Sequence, residues 1–429
     1  MTPIERFENY RQQIQANNPS LNAFLEMRLD AARAEAEDSR QRLENDETLS
    51  AIDGLCVGVK ANTAVAGLPC HGGIDAYRDN ISERDAVVIQ RLKAAGAVIL
   101  GNLNMHEGAL GATTDNQAFG RCRNPHRSDF TPGGSSGGSG AAIAARLCDM
   151  AIGTDTMGSI RIPAAYCGVQ GHKPSTGFVP TEGVMPLSTT LDHIGPLCAT
   201  VDELASMLAV MSAQSTNGIL EARNISEMKI GVWTGEGTIY VEASVATGFE
   251  DAVKALQQSG AKLTPIAPPI YETSRSRRAG LIVSEVEGHK FHHSKLIENP
   301  SGFSDEFRSL LEWGASRADE KLQPAYDHIS DIQSAAVQLW NEVDLVLAPV
   351  APQQAFAFDD PVPANQADFT AWADFARLPA TAIFTGMAGN GLPLSFQVIG
   401  PEGADFAVLA AAKAFEQVFG APLSAPDFS

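Results

Sequence analysis

Residues 132–168 read PGGSSGGSGAAIAARLCDMAIGTDTMGSIRIPAAYCG, and the reading of this stretch decides the fold. Glycines at 133, 134, 137, 138 and 140 let the backbone turn tightly and approach a ligand closely, and they leave Ser135, Ser136 and Ser139 with little steric cover. A flexible linker is the bland alternative. Against it, an apolar helix over 141–148 and a strand over 149–152 follow directly, so the loop is clamped on its C-terminal side. The loop contains no GxGxxG, and no lysine follows it to make a nucleotide-binding loop. After the strand comes GTDTMGS at 153–159, a turn whose successive N–H groups can point inward together and stabilise an oxyanion. A serine in that turn is a nucleophile candidate, but it needs a base. No GxSxG elbow is present, which argues against the α/β-hydrolase arrangement.

One lysine offers itself as that base. Lys60 ends a short apolar strand over 55–59, and if buried there its pKa falls toward neutrality. Working outward, residues 4–14 and 24–43 read as two helices, separated by a break at Pro19 and Ser20. SERD at 82–85 reads as a capping box opening a helix that runs to residue 92 and stops near Gly96, and 97–100 is a buried strand. This strand–helix–strand order predicts a parallel or mixed sheet. Helices are expected over 201–211, 245–258 and 404–418, a mostly helical stretch over 279–345, and strands over 229–233, 345–347 and near 391–400. Residues 265–275 and 349–368 read as loops. No repeat or linker divides the chain, so one domain is expected over 1–429.

Composition narrows the class. The chain has 429 residues, 44% of them apolar, and can bury a core without disulfides or a structural metal. Its formal net charge of −20 opposes a general nucleic-acid surface. The start, MTPIERFENYRQQIQ, has no apolar core of signal-peptide length, and no run of roughly eighteen apolar residues is long enough to span a membrane. The six cysteines form no CxxC pair. A cytoplasmic protein with reduced thiols, no membrane association and no nucleic-acid partner is expected.

Together these segments resemble the amidase signature family, the serine hydrolases with a Ser–cis-Ser–Lys triad. PGGSSGGSG and GTDTMGSIRIPAAYCG match its two hallmarks and GVKANTAVAGLP its lysine segment, while GHKPSTG, TLDHIGPLCATVDELA and GLPLSFQVIG match downstream elements. The likeness runs over about 50–215 and returns at 340–420; residues 216–340 diverge and are expected to shape the substrate site, and helices occupy 1–50. The resemblance implies an α/β fold with a central mixed, mostly parallel twisted β-sheet covered by helices on both faces. It implies Ser159 as nucleophile, Ser135 as the serine after a cis bond from Gly134, and Lys60 as base. It also implies an oxyanion hole from the backbone N–H groups of Thr156, Met157, Gly158 and Ser159. Ser136 and Thr154 would be supporting or substrate-edge groups, and Asp155 and Arg161 would hold the turn in shape. Ser135 would bridge Ser159 to Lys60.

Two departures from the family pattern stand out. Ala61 replaces the usual Asp after the lysine, so support for Lys60 must come from elsewhere. Met157 replaces a usual Gly, tolerable at negative φ, and would crowd the acyl pocket. His71 and His106 lie in segments that approach the site in the family. His289, His292 and His293 form an HxxHH cluster without the glutamate of HExxH, and read as solvated or core histidines rather than metal ligands. Asn116, Arg121 and Asn124 read as support for the serine loop. The activity implied is hydrolysis of a small soluble amide or urea-like compound, without metal or organic cofactor and with a homodimer allowed. The alternatives are the ammonia-producing component of a glutamyl- or aspartyl-tRNA amidotransferase, its A-type chain, which releases ammonia from glutamine, and a non-catalytic homologue.

Overall fold

The computed structural model describes residues 1–214 and 220–420. Thus residues 216–219 of the divergent segment and 421–429 of the expected domain lie outside the described residues. The strands are β1 (Phe24–Met27), β2 (Cys56–Lys60), β3 (Val98–Leu103), β4 (Asp115–Asn116), β5 (Gly120–Arg121), β6 (Met150–Asp155), β7 (Gln170–Lys173), β8 (His193–Cys198), β9 (Lys229–Val232), β10 (Lys262–Pro265), β11 (Leu345–Pro349), β12 (Ala380–Met387) and β13 (Pro393–Ile399). The helices are α1 (Pro3–Leu21), α2 (Leu29–Glu44), α3 (Val87–Ala94), α4 (Gly137–Ala144), α5 (Arg161–Cys167), α6 (Val201–Ser212), α7 (Ala243–Gln258), α8 (Thr273–Glu298), α9 (Asp305–Ser316), α10 (Ala318–Leu339), α11 (Ala371–Phe375) and α12 (Asp405–Phe419).

Eleven strands form one sheet in the order β1-β3-β2-β6-β8-β7-β12-β13-β11-β9-β10, and β4 pairs with β5 apart from it. Helices cover both faces of the sheet, so β2, β3, β6 and β11 are buried throughout and read as largely apolar runs. Alternation still sorts the side chains. Val57, Val59, Ile99, Met150 and Ile152 join a core with α3, α6 and α12, whereas Cys56, Val98, Leu100 and Ala151 join the opposite core with α1, α2, α4 and α5. A third cluster collects α8, α10 and α11.

The mixed sheet under helices on both faces is as expected, but it is not mostly parallel. Among the described residues, four ladders are parallel and six antiparallel. Helical crossovers enforce parallel pairing at the two wings, where α3 links β2 to β3 and α7 links β9 to β10. The middle strands β8, β7, β12 and β13 are joined without that constraint and pair antiparallel.

Local departures have local causes. Helix α1 runs through Pro19 to Leu21 and does not break there, although the proline forgoes the hydrogen bond of its N–H and crowds the carbonyl four residues earlier; the helix ends two residues on. Residues 24–27 are an edge strand rather than part of the second helix, since Phe24 and Met27 pair with β3. The capping box at 82–85 does not form: α3 starts after Ala86, and the Asp85 carboxylate accepts instead from the Ala66 amide at 2.8 Å and from Lys93 Nζ. Helix α4 begins at Gly137, inside the serine-rich loop. β7, β8 and β12 escape a pattern reading because they carry buried polar residues, His172, His193 and Thr381 among them.

The serine loop is set by close backbone packing. A Cβ on Gly138 would lie 2.4 Å from the Asn104 carbonyl oxygen and 2.6 Å from its nitrogen. Gly138→Ala must therefore displace α4 from β3, and overpacking of this kind costs roughly 1–3 kcal/mol. The expected result is a lowered urea midpoint with an unchanged slope.

Candidate active site

Four segments converge at the carboxyl end of β2 and β6. The chain leaves β2 at Lys60, whose side chain is fully buried. Lys60 Nζ donates to Ser135 Oγ at 2.7 Å and to Thr154 Oγ1 at 2.7 Å. Burial pulls the ammonium down to about 7, while the charges of Asp192 and Asp155 work the other way. With Ala61 packed among Met105, Ala109 and Leu187, the support expected from a following Asp is absent. Thr154 takes that place, and its hydroxyl also accepts from Asn62 Nδ2 at 3.2 Å.

The serine loop is held from several directions. The Gly134–Ser135 peptide bond is cis. Thr114 Oγ1 donates to the Gly133 carbonyl at 2.7 Å, and the Asn124 side-chain amide donates to the Thr131 and Tyr166 carbonyls. Asn116 Nδ2 similarly ties the carbonyls of Gly73 and Met105. Arg121 pairs with Asp115 on the small β4–β5 ladder. Ser136 is fully buried; its hydroxyl donates to the Thr154 carbonyl at 3.1 Å and accepts from the Thr154 amide at 3.2 Å. Ser136 therefore staples the loop to β6 and does not reach a substrate edge.

Ser159, the expected nucleophile, is half-buried and lines a cavity of about 150 Å³. Its hydroxyl has no hydrogen-bond partner among the described residues, so of the expected bridge the Ser135–Lys60 contact is formed and the Ser159–Ser135 bond is not. Contacts of this kind often tighten only when substrate is bound. A backbone bond from the Ser136 amide to the Ser159 carbonyl, 3.3 Å, ties the two serine segments together.

The turn before Ser159 is organised by Asp155 and Arg161. One Asp155 oxygen accepts from the Gly158 amide, and the other accepts from the Ile160 amide at 3.1 Å and Arg161 Nε at 3.0 Å. The Gly158 N–H is thereby committed and leaves the expected oxyanion hole. The amides of Thr156, Met157 and Ser159 have no protein acceptor among the described residues. Gly158 has φ +140, and a Cβ there would meet Thr370 Oγ1 at 2.3 Å; that hydroxyl donates to the Met157 carbonyl at 2.6 Å. Met157 has no positive φ, and its sulfur packs over Gly280 of α8, where a Cβ would come within 2.7 Å of it. The methionine thus narrows the cavity, and α8 makes room for it.

Sequence reasoning missed several residues. Asp192 accepts from Thr156 Oγ1 at 2.6 Å and from the Leu187 and Ser188 amides; burial raises it to about 6. It sits within TLDHIGPL, so a signal was present. Asp374, Thr370 and Gln397 carried none, lying more than 200 positions from the partner they share, Arg161. His71 is away from the cavity, stacked on Phe119 at 4.0 Å and accepting from the Gly73 amide. His106 contacts Thr113 Oγ1 at 3.2 Å, its amide donates to the Ser135 carbonyl, and burial lowers it to about 4. His292 meets the Tyr77 hydroxyl at 3.1 Å amid Phe303 and Phe307, and His289 packs on His293.

A buried lysine pulled near neutrality, hydrogen-bonded to a serine beside a cis peptide and next to a turn of free amides, equips this site for acyl transfer. The chain belongs to the amidase family, described as Amidase, which matches residues 5–409, and it is an amide-hydrolysing enzyme of that family. It is 30% identical to the second A-type chain of the glutamyl-tRNA(Gln) amidotransferase of Clostridium acetobutylicum, over 95% of this chain and 94% of that one. It is 32% identical to the corresponding A-type chain of Anaeromyxobacter dehalogenans, over 96% and 92%. A solved inhibitor-bound complex, described as a vestigial protein complex that reveals the origins of an s-triazine catabolic enzyme, superposes with a TM-score of 0.91 at 29% identity, covering 99% of this chain and 97% of that one. Among the described residues no helix is long and apolar enough to cross a membrane.

Arg161 is fully buried and donates to Asp155, Asp374, the Thr370 carbonyl and Gln397. Removing one partner of a buried ion pair leaves an uncompensated charge, at a cost of about 3–5 kcal/mol. Arg161→Met should lower the denaturation midpoint accordingly, whereas Arg308→Met, at a half-buried surface position and ion-paired only within its own helix, should change it by less than about 1 kcal/mol.

Proposed function

We propose that the chain is one amidase domain that hydrolyses the C–N bond of a small amide through an acyl-enzyme on Ser159. Neutral Lys60 takes a proton from Ser135, which takes one from Ser159 as its oxygen attacks the carbonyl carbon. The oxyanion is met by the amides of Thr156, Met157 and Ser159. Collapse breaks the C–N bond, and the relay returns the proton to the departing nitrogen. Water then loses a proton to the same relay and attacks the ester; collapse breaks the acyl–Oγ bond, the relay returns the proton to Ser159 Oγ, and the acid leaves. Asp155 and Arg161 hold the turn, and Thr154 positions Lys60. The observation that carries this reading is the 2.7 Å contact of Lys60 with Ser135, made by a lysine that burial pulls down to about 7.

A second reading gives glutamine as the amide and a partner protein as the user of the ammonia. The curated relatives named above favour it over a free-standing hydrolase of small amides, and the structural relative described as a complex adds a hetero-assembly to the homodimer as an arrangement to test. Glutaminase activity that appears only on adding a co-purified partner would decide for it; turnover of small amides by the isolated chain would decide for the first.

Ser159→Ala should abolish hydrolysis and labelling by a fluorophosphonate while the fold persists by circular dichroism. Retention of more than a few per cent of the rate would remove Ser159 from its role.

The base must be deprotonated to act, and burial has lowered its pKa. kcat/KM should therefore rise from acid pH through about 7 and level off above. Lys60→Ala should lose roughly 10²–10⁴ of the rate. Lys60→Arg should not restore it, since a guanidinium stays protonated. Near-wild-type rates in Lys60→Arg would exclude Lys60 as the base.

A further inference from the structure

We infer that the substrate of this site carries a carboxylate, and that Arg277 of α8 anchors it while the amide carbonyl faces Ser159. The inference rests on the acyl-enzyme reading and adds the substrate class to it. Arg277 and Ser159 line the same cavity, and no other charged side chain lines it among the described residues. Its walls are otherwise largely apolar, formed by Met157, Ile162, Leu187 and Leu281 among others. A charge on such a wall is worth keeping only if a ligand or neighbour answers it.

The guanidinium is held but not used up. Arg277 Nη1 donates to Asp368 Oδ1 at 2.6 Å, and Asp368 is 5% exposed and does not line the cavity. A guanidinium has five N–H groups in a fixed fork. The remaining ones have no protein acceptor among the described residues, and the side chain keeps 23% of its exposure. Asp368 therefore orients Arg277 and leaves donors for a second carboxylate, the group a planar fork recognises best. Gln366 adds a polar side chain to the same cavity; it is 4% exposed, and its Nε2 donates to the Pro363 carbonyl at 3.4 Å.

Size limits the ligand further. A cavity of about 150 Å³ holds a molecule on the order of benzene in bulk. The substrate class is thus a small amide with a carboxylate a few atoms from the scissile carbonyl. A monoamide of a short dicarboxylic acid and an α-amino acid with a side-chain amide both supply that chemistry. No acidic side chain lines the cavity among the described residues to answer an ammonium group, which favours the former.

The test compares kcat/KM for succinamate, its near-isosteric neutral analogue succinamide, and glutamine, in wild type, Arg277→Met and Arg277→Lys. Protection of Ser159 from fluorophosphonate labelling by each compound is measured in parallel. Wild type should favour succinamate over succinamide by roughly ten- to hundredfold, in turnover or in protection, the value of a hydrogen-bonded charge. Arg277→Met should bring that ratio close to one, and Arg277→Lys should keep part of it. Glutamine turned over with the same dependence on Arg277 would support the anchor and assign the carboxylate to an amino acid. Equal handling of succinamate and succinamide by wild type, neither compound acting in a protein whose Ser159 is labelled, or a preference that survives Arg277→Met would overturn the inference. Failure of Ser159 to label would instead overturn the acyl-enzyme reading, and this inference with it.

Discussion

The buried guanidinium of Arg161 is the constraint on which the site depends. It sits two residues past Ser159 and the turn that presents it, and it joins that turn to the C-terminal third of the chain through Asp374, the Thr370 carbonyl and Gln397. Burial penalises Asp155, yet the guanidinium and the Ile160 amide outweigh that and hold it well below the usual carboxylate range. Asp374 is pushed up by burial to about 8, and Arg161 acts against that rise. The guanidinium thus faces two carboxylates of unequal character and satisfies the first more fully. An ionic cluster of this kind adds little net stability over an apolar core but strongly penalises any arrangement that separates its members. That penalty holds the turn at 156–159 in place, with the Gly158 amide on Asp155 and the amides of Thr156, Met157 and Ser159 without a protein acceptor among the described residues.

The same economy runs through the lysine side of the site. A fully buried ammonium is costly, and the chain reduces the cost by letting Lys60 approach neutrality and by giving it two hydroxyl partners. Asp192 adds a distant negative charge that limits the fall, so the lysine comes to rest where it can both accept and return a proton. Ala61 makes sense in this setting. A carboxylate directly after Lys60 would hold the ammonium charged, while Thr154 and Asn62 position it without adding charge.

Helix α8 carries Gly280, which admits the Met157 sulfur, and Arg277, which faces the cavity beside it. One helix therefore sets both the width of the cavity and its charge. Helices α9 and α10 pack on it in turn.

What the sequence determined by itself was whatever depends on neighbours in the chain. PGGSSGGSG and GTDTMGS stand out because their glycines allow close backbone approach around serines, although the structure buries Ser135, Ser136 and Ser139 and starts α4 at Gly137, and Lys60 stands out because it ends an apolar strand. Strand–helix–strand order likewise foretold a parallel or mixed sheet, and the family resemblance the helices on both its faces. Tertiary structure alone decided the rest. Antiparallel pairing through the middle of the sheet depends on which distant strands meet, and β7, β8 and β12 hide their strand character behind buried polar residues. The loss of the Gly158 amide to Asp155, the turning of Ser135 toward Lys60, and the burial of Ser136 are matters of which acceptor comes within about 3 Å. Asp374 and Arg277 reach the site from far along the chain, by long-range packing that no local spacing encodes.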